Sequence, residues 1–458
     1  MKIIKHGDSR VAGIINKKKM SNEAEYRLTL FTYLYSDNNR YLICNTLTFE
    51  VVELTEKEWN AVQQIKVTPV SYGFIVENGL EQLVMSQYIV EKMNDDIRQY
   101  QQTVFLLKTM TKGKKGFKAY DILPTTGCNA RCVYCFEEGF TIKTMTTEIA
   151  DSLIDFICET KYNDTVKLRW FGGEPLANAK IISYICSSLQ ERGVPYKSIM
   201  ITNASLMTKE LANEAKELWH LEKVQVSLDG TKEDYTLRKN YYNPEKHNYD
   251  VVMKAIHYLA DEGIKVNLRV NVDFENIEHI PLFLREIKEQ FGDKDNVALY
   301  LTPLYQEQRK DTCLKIYKRI FELTDYQRYL GIPCLIKFKK SNNFKVNFCM
   351  ADSLDNTVLI TPDGRLNNCD QLPEDHYFGN IFDGITDKAK FDELNTAPKI
   401  DEKCAKCPFL PECTPFYKNG CPCWFEKCYE YHCMKTEYIM HSLLEGVNTE
   451  TDDDDEEI

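Results

Sequence analysis

Three features are missing from this 458-residue sequence. It contains no apolar run long enough to cross a bilayer, and its first residues, MKIIKHGDSR, lack the apolar core of a secretion signal. It also lacks an excess of basic residues, because its formal net charge is -12. Nucleic acids and anionic membranes attract clustered Lys and Arg. The sequence therefore predicts a cytoplasmic protein with no nucleic-acid partner and no membrane partner.

Cysteine, by contrast, is plentiful, with 17 residues in the chain. Reductants of the cytosol keep thiols reduced, so this number predicts metal ligation and not a disulfide framework. The eight histidines show no spacing typical of metal ligands. The cysteines form one tight group near residue 130 and a second group of nine between residues 349 and 433.

The distribution of cysteine and charge divides the chain into four predicted parts. A first domain covers residues 1–110, a second covers 111–320, and a cysteine-rich third covers 321–447. Residues 450–458 carry seven acidic side chains, so we expect 448–458 to be a solvated, disordered tail. The length of the chain suits this number of folded units.

The first part reads as a small winged-helix-like α+β domain. Residues 26–35 and 40–47 are rich in β-formers and flank the polar turn SDNN, which predicts a hairpin. Thr55 and Glu58 form a capping box ahead of a helix with apolar residues at helical spacing. A further helix from about Leu80 and a short strand at 88–90 complete the pattern.

The second part alternates strands with helices, as parallel α/β domains do. Six strands are predicted, at residues 119–123, 166–170, 198–202, 224–228, 266–272 and 297–301. Six such units predict an α/β fold with a partial (β/α)6 barrel as its core. In these barrels the chemistry lies at the C-terminal ends of the strands.

The loop after the first of these strands holds Cys128, Cys132 and Cys135. Three thiolates so close together can hold a metal centre while one coordination position stays open. The spacing, with the aromatic Tyr134 before the last cysteine, resembles the signature of the radical S-adenosylmethionine (SAM) superfamily. The alternative is a zinc knuckle, for which a fourth ligand is normally expected.

Further motifs match that superfamily in the expected order on successive strands. The resemblance implies that they bind SAM, the first of them at its methionine amino group; they are Gly172, Gly173, Glu174 and Pro175, then Asn203, Ser227, Arg238, Arg269 and Asn271. It also implies a reaction. A 4Fe-4S cluster would bind SAM and cleave it by one electron, and the resulting 5'-deoxyadenosyl radical would take hydrogen from the substrate.

The cysteine-rich third part is similar to the SPASM extension, which binds two auxiliary 4Fe-4S clusters. The resemblance implies three clusters in all. The nearer auxiliary cluster would be held by Cys349, Cys369 and one of Cys421 or Cys423, and the farther one by Cys404, Cys407, Cys413 and Cys433. Tyr417 stands where the family often has a cysteine, and Cys428 has no assigned position. A pair of zinc sites is the alternative.

Two expectations concern the chemistry near these auxiliary clusters. No cysteine lies just upstream of Cys349, so an open iron of the nearer cluster could bind a substrate thiolate, which favours thioether formation. Asp370 follows Cys369 directly, at a position where sulfatase-maturing members of the family place a general base. The alternative for Asp370 is an ordinary turn residue.

Taken together, the three parts resemble maturases of ribosomally made peptides, of the sactipeptide and ranthipeptide type. The leading prediction is an enzyme that forms a thioether crosslink in a precursor peptide, whose leader binds the first domain as an added strand. A reductant such as flavodoxin or ferredoxin would supply the electron. The alternatives are a sulfatase-type maturase that forms formylglycine, a carbon-carbon crosslinking or epimerising maturase, and a non-enzymatic iron-sulfur or zinc scaffold.

Overall fold

The computed structural model describes nine stretches of the chain, namely residues 1–15, 20–111, 116–162, 164–304, 312–335, 357–369, 376–393, 400–412 and 427–446. Within them no helix is both long and apolar enough to cross a membrane. The predicted tail at 448–458 lies outside the described residues, as do Cys349, Asp370, Cys413, Cys421 and Cys423.

The N-terminal part contains two small antiparallel sheets and several short helices. Its elements are β1 (Lys2–Lys5), α1 (Ser9–Ile14), β2 (Glu25–Leu28), β3 (Thr32–Asp37), β4 (Arg40–Asn45), β5 (Glu50–Leu54), α2 (Glu56–Val67), β6 (Val70–Ser71), α3 (Tyr72–Glu77), α4 (Glu81–Met85), β7 (Ile89–Glu91) and α5 (Asp96–Thr111). The larger sheet has the order β1-β5-β4-β3, and the smaller has the order β6-β2-β7. The capping box of Thr55 and Glu58 is present at the start of α2, as predicted.

One predicted element of this part is wrong. Residues 26–35 do not form a single strand, because β2 and β3 belong to different sheets. The strand is interrupted between them. There the Leu30 amide donates to the Asp96 carboxylate (2.7 Å) and the Thr29 amide donates to the Tyr88 carbonyl (2.9 Å). The hairpin therefore consists of β3 and β4, and Asn38 and Asn39 occupy the two positive-φ positions of its tight turn.

The central part is an open sheet of six parallel strands with helices between them. Its elements are β8 (Ala119–Ile122), α6 (Thr147–Thr160), β9 (Val166–Trp170), α7 (Ala179–Glu191), β10 (Tyr196–Thr202), α8 (Lys209–Glu217), β11 (Leu221–Ser227), α9 (Lys232–Lys239), α10 (Tyr249–Asp261), β12 (Lys265–Val272), α11 (Ile280–Phe291), β13 (Val297–Pro303) and α12 (Cys313–Tyr329). Neighbours in the sheet follow chain order from β8 to β13. All six predicted strands are present.

The strands of this sheet separate an apolar face from a polar one. Alternate residues such as Leu168 and Trp170 belong to the buried core beneath the helices. The residues between them point to the opposite face, where Arg169 of β9 forms an ion pair with Asp121 of β8. The sheet therefore has one apolar face and one that carries charged side chains.

The C-terminal part extends the same sheet, which the sequence did not predict. It adds β14 (Thr357–Ile360), β15 (Arg365–Asn367), β16 (Gly379–Asn380) and β17 (Gly384–Ile385), followed by α13 (Lys388–Glu393) and α14 (Cys428–Leu444). Strand β14 pairs in parallel with β8, so the mixed sheet has ten strands. The protein is thus an α/β fold built on one large mixed sheet.

Helix α14 returns to the N-terminal part and packs on the larger of its sheets. Met440 lies in a buried cluster with Leu42, Cys44 and Val51. At the rim, the Tyr33 hydroxyl donates to Glu437 (2.8 Å). The N-terminal part and the cysteine-rich part, to which α14 belongs, therefore share a core.

Candidate active site

The predicted cysteine loop lies at the carboxyl end of β8, as the barrel geometry requires. Cys128, Cys132 and Cys135 are all partly buried there, and the Cys135 amide donates to the Cys132 carbonyl (3.0 Å). Burial raises the pKa of Cys128 to about 12, with smaller contributions from Glu174 and from the other two thiols. Burial likewise raises the pKa of Cys132 and of Cys135. The three thiols thus form one electrostatically coupled group.

The donor set fits an iron-sulfur cluster, since three thiolates from one loop are the ligands such a cluster uses. Within the described residues, no three Cys, His, Asp or Glu side chains are arranged to hold a metal ion. Binding a cluster would use the three thiols of this loop as its protein ligands. It also requires deprotonation of all three thiols, so metal binding and proton release are coupled here.

The glycine motif after β9 packs directly against the cysteine loop. Gly172 has φ +110°, and a Cβ atom on it would lie 2.4 Å from the Thr125 carbonyl oxygen. A Cβ atom on Gly173 would lie 2.5 Å from the Gly127 oxygen and 2.6 Å from that of Thr126. The Glu174 amide donates to the Gly127 carbonyl (2.9 Å). These glycines are needed because two backbone segments touch.

The carboxylate of Glu174 connects this motif to the end of β10. It accepts from the Thr202 hydroxyl (2.6 Å), from the Asn203 amide (2.8 Å) and from the Leu176 amide (3.0 Å). Pro175 opens the short helix that Glu174 caps. These three hydrogen bonds tie the Glu174 side chain, and with it the glycine motif, to the end of β10.

Asn203 lies over the first cysteine. Its side-chain nitrogen, Nδ2, donates to the Asn129 side-chain oxygen (2.9 Å) and approaches the Cys128 sulfur (4.0 Å). Its side-chain oxygen, Oδ1, accepts from the Ser205 hydroxyl (2.7 Å). Asn129, which the sequence did not single out, donates in turn to Ser205 (2.9 Å). These contacts hold the cysteine loop against the end of β10.

The predicted residues of β11 and β12 lie side by side at the carboxyl edge of the sheet. Ser227 is paired in register with Arg269, and the Arg269 Nε donates to the Asn271 side chain (3.0 Å). Asn271 donates onward to Asp229 (2.8 Å). The structure thus brings all three together, on the same edge as the cysteine loop.

Asp229 and Lys239 are a buried pair that the sequence did not reveal as part of the site. Tyr134 donates a hydroxyl hydrogen bond to Asp229, and Lys239 donates to the Tyr134 oxygen (2.8 Å). Burial raises the pKa of Asp229, but Lys239 and then Tyr134 outweigh it and hold that pKa below its usual range. Asp229 lies in the segment VSLDG and Lys239 in the segment RKN, but the sequence does not show that these two charged side chains contact each other.

Arg238 is 4% exposed, and its guanidinium carbon lies 5.5 Å from the centroid of the Tyr134 ring. Its Nη1 donates to Asp273 (2.9 Å), while its Nε and Nη2 are buried with no hydrogen-bond partner among the described residues. Unpaired buried donors are costly unless a ligand satisfies them. Two free guanidinium donors match a carboxylate, which the methionine end of SAM would supply.

We expect Arg238→Lys to weaken SAM binding about 30-fold, which corresponds to about 2 kcal/mol for lost hydrogen bonds to a charged group. The variant keeps the positive charge beside Asp273 but removes the guanidinium fork. The measurement is equilibrium dialysis of SAM against anaerobically reconstituted protein. Arg192→Lys is the matched control, because Arg192 forms an exposed ion pair with Asp155. Equal affinity in the two variants would show that Arg238 does not contact SAM.

Four of the described C-terminal cysteines lie near enough to influence one another electrostatically, namely Cys404, Cys407, Cys428 and Cys433. Burial raises the pKa of Cys407, and the thiols of Cys428, Cys404 and Cys433 raise it further. Cys428, which had no assigned position, is the largest electrostatic influence on Cys404 after burial. Cys369 follows β15 at the other end of this region. The predicted grouping of Cys404, Cys407 and Cys433 therefore gains Cys428 as a neighbour.

The fold and the site together define an α/β domain whose parallel sheet carries a three-cysteine loop and a glycine motif at its carboxyl edge. Residues 122–287 match the model of the Radical SAM superfamily. The chain therefore contains a radical SAM domain, the catalytic domain of enzymes that use SAM and a 4Fe-4S cluster.

Two curated relatives illustrate the similarity in sequence. The chain is 29% identical over 187 residues to Fe-coproporphyrin III synthase of Methanosarcina barkeri, covering 40% of this chain and 44% of that relative, so it spans less than half of it. It is 23% identical over 327 residues to the antilisterial bacteriocin subtilosin biosynthesis protein AlbA of Bacillus subtilis, covering 65% of this chain and 66% of AlbA.

Solved structures show the same fold. The structure of anSMEcpe with bound AdoMet superposes with a TM-score of 0.55 at 19% identity and covers 72% of this chain and 99% of that one. The structure of Streptococcus suis SuiB bound to S-adenosylmethionine has a TM-score of 0.50 at 15% identity and covers 87% of this chain and 100% of SuiB.

Proposed function

We propose that the protein is a cytoplasmic radical SAM maturase that modifies a ribosomally made precursor peptide by forming a thioether crosslink. Cys128, Cys132 and Cys135 would hold one 4Fe-4S cluster, and the C-terminal cysteines would hold two more. When bound, SAM and its cluster would supply a 5'-deoxyadenosyl radical that takes hydrogen from the peptide. A flavodoxin or ferredoxin would donate the electron.

The observation that carries this proposal is the packing of the N-terminal part against the cysteine-rich part. Thr46 of the N-terminal part donates its hydroxyl to the Pro408 carbonyl, next to Cys407, and the Tyr33 ring packs on Phe409 (5.2 Å between centroids). A peptide held by the N-terminal part would thus lie near the predicted auxiliary clusters. Relatives point the same way, since SuiB has been solved with precursor peptide SuiA and AlbA takes part in subtilosin biosynthesis.

Strand β3 offers a site for the leader. It is an edge strand of its sheet, and no described strand pairs with its outer side. In a hairpin closed by a two-residue turn, Asp37 and Arg40 form the first hydrogen-bonded pair, so the amides of Ser36 and Leu34 point outward. An extended peptide could add there as a further strand.

We expect Ser36→Pro to weaken leader binding at least about tenfold, because it removes one outward donor from the edge and costs about 1.4 kcal/mol. Ser36 is exposed and its amide makes no bond to β4, so proline is tolerated. The probe is a fluorescein-labelled precursor peptide, taken from a short Cys-containing reading frame sought among the genes next to this one, and fluorescence anisotropy reports its binding. Ser36→Ala keeps the amide and serves as control. Identical affinities for the two variants would exclude this edge.

The reaction itself is tested by mass spectrometry of that peptide after incubation with reduced enzyme and SAM. A thioether forms from one S–H and one C–H, so the product loses two hydrogens and one alkylatable thiol. A carbon-carbon crosslink loses two hydrogens but keeps the thiol, epimerisation leaves the mass unchanged, and formylglycine replaces the thiol by an aldehyde oxygen. Point variants suit this work better than deletion of residues 1–110, which would expose the core that α14 shares with β4 and β5.

A further inference from the structure

A buried ion pair lies behind the cysteine loop and is not needed to explain SAM binding. The side chain of Lys239 is 3% exposed and that of Asp229 is 0% exposed, and the ammonium lies 3.2 Å from the carboxylate. Both contact the hydroxyl of Tyr134, the residue directly before Cys135. Burying two ions costs free energy that a structural contact alone does not repay, so the pair invites a functional explanation.

The pair acts electrostatically on a cluster ligand. Both charged groups contact the hydroxyl of Tyr134, which directly precedes Cys135, and the Lys239 ammonium lies 5.4 Å from the centre of the Tyr134 ring. By Coulomb's law Lys239 favours negative charge on the sulfurs of this loop, and Asp229 disfavours it. Because both groups are shielded from water, these interactions are stronger than between exposed charges.

Negative charge on the sulfurs is also what changes when a cluster is reduced. One added electron takes a 4Fe-4S centre from the 2+ to the 1+ state without making or breaking a bond, and the surrounding charges set how favourable that step is. We propose that Lys239 and Asp229 set the reduction potential of the cluster held by Cys128, Cys132 and Cys135, with Lys239 stabilising the reduced state and Asp229 opposing it. The proposal rests on the radical SAM function proposed above.

The neighbouring charges do not cancel this effect. Arg238 is paired with Asp273 at 2.9 Å, and Asn271, which donates to Asp229, is neutral. Both cations lie near the ring of Tyr134, with the Lys239 ammonium 5.4 Å and the Arg238 guanidinium carbon 5.5 Å from its centroid. Removal of Lys239 therefore leaves an excess negative charge beside the loop, and removal of the Asp229 charge leaves an excess positive one.

The test is a redox titration of the full-length, anaerobically reconstituted protein, followed by electron paramagnetic resonance. The signal that changes on addition of SAM identifies the cluster in question. We expect Lys239→Met to lower the midpoint potential and Asp229→Asn to raise it. Each substitution should change the equilibrium constant for cluster reduction at least tenfold, which corresponds to a shift of about 59 mV in the midpoint potential for one electron. Lys239→Arg keeps the positive charge and should have the midpoint potential of the wild-type protein.

A purely structural pair gives a different pattern. Unchanged midpoints in both neutral variants, or shifts of the same sign, would overturn the proposal, because loosening of the loop does not depend on the sign of the missing charge. If Lys239→Met takes up no cluster, the nearly isosteric Asp229→Asn decides the question by the sign of its shift. If neither variant holds the cluster while Lys239→Arg does, the pair serves cluster binding and the proposal is wrong. A wild-type protein without any SAM-responsive signal would contradict the radical SAM function instead.

Discussion

Cys128→Ala is expected to abolish the formation of 5'-deoxyadenosine by the reduced protein. Cys128 is one of the three thiols in the loop that follows β8. A cluster that keeps only two of its three protein ligands is not stably bound. The iron content should fall by about four atoms per chain, the content of one cluster. Mass spectrometry of the nucleoside and a colorimetric iron assay measure the two quantities.

Cys158→Ala is the matched control for this experiment. Cys158 lies on α6, packs beside the barrel core and is partly buried, so its replacement removes a thiol of similar burial from another place. It should retain both the iron and the cleavage of SAM. Cleavage that survives in Cys128→Ala would mean that the loop does not hold the SAM cluster.

Gly173→Ala is expected to lower the rate of SAM cleavage at least about a hundredfold. Each tenfold loss of rate corresponds to about 1.4 kcal/mol, and we expect the steric clash to cost at least about twice that energy. The new Cβ atom would lie within 2.6 Å of two carbonyl oxygens of the cysteine loop. Neither oxygen can move without displacing the backbone next to Cys128. The assay is the rate of 5'-deoxyadenosine formation, together with the iron content.

Gly13→Ala separates this effect from a general cost of replacing glycine. A Cβ atom on Gly13 meets nothing within 4 Å, and the residue lies in helix α1. It should leave the iron content and the rate unchanged. If Gly173→Ala behaves like Gly13→Ala, the close approach of the two loops is not needed for the reaction.

The central part was predictable because its signals are local and repeated. Each parallel strand is a short apolar run between turn residues, and most of the motifs lie at the carboxyl end of a strand or shortly after it. The loop of Cys128, the glycines before Glu174 and the sequence around Ser227 therefore fell at the carboxyl edge as expected. A regular alternation of strand and helix leaves few other topologies.

The contacts that complete the site could not be predicted in the same way. Lys239 and Asp229 lie ten residues apart, Asp229 before α9 and Lys239 at its last residue, and the sequence does not show that their side chains meet. The break between β2 and β3 depends on Asp96, which lies far along the chain. Strand β14 and helix α14 find their neighbours only through tertiary packing. Long-range partners of this kind leave no periodic pattern in a single sequence.

The most direct test of the central claim is the cleavage of SAM itself. The full-length protein is reconstituted anaerobically with iron and sulfide, reduced with dithionite and given SAM, and 5'-deoxyadenosine is measured together with iron and zinc. We expect a high iron content and the formation of 5'-deoxyadenosine. Bound zinc in place of iron, with no cleavage of SAM, would contradict the assignment.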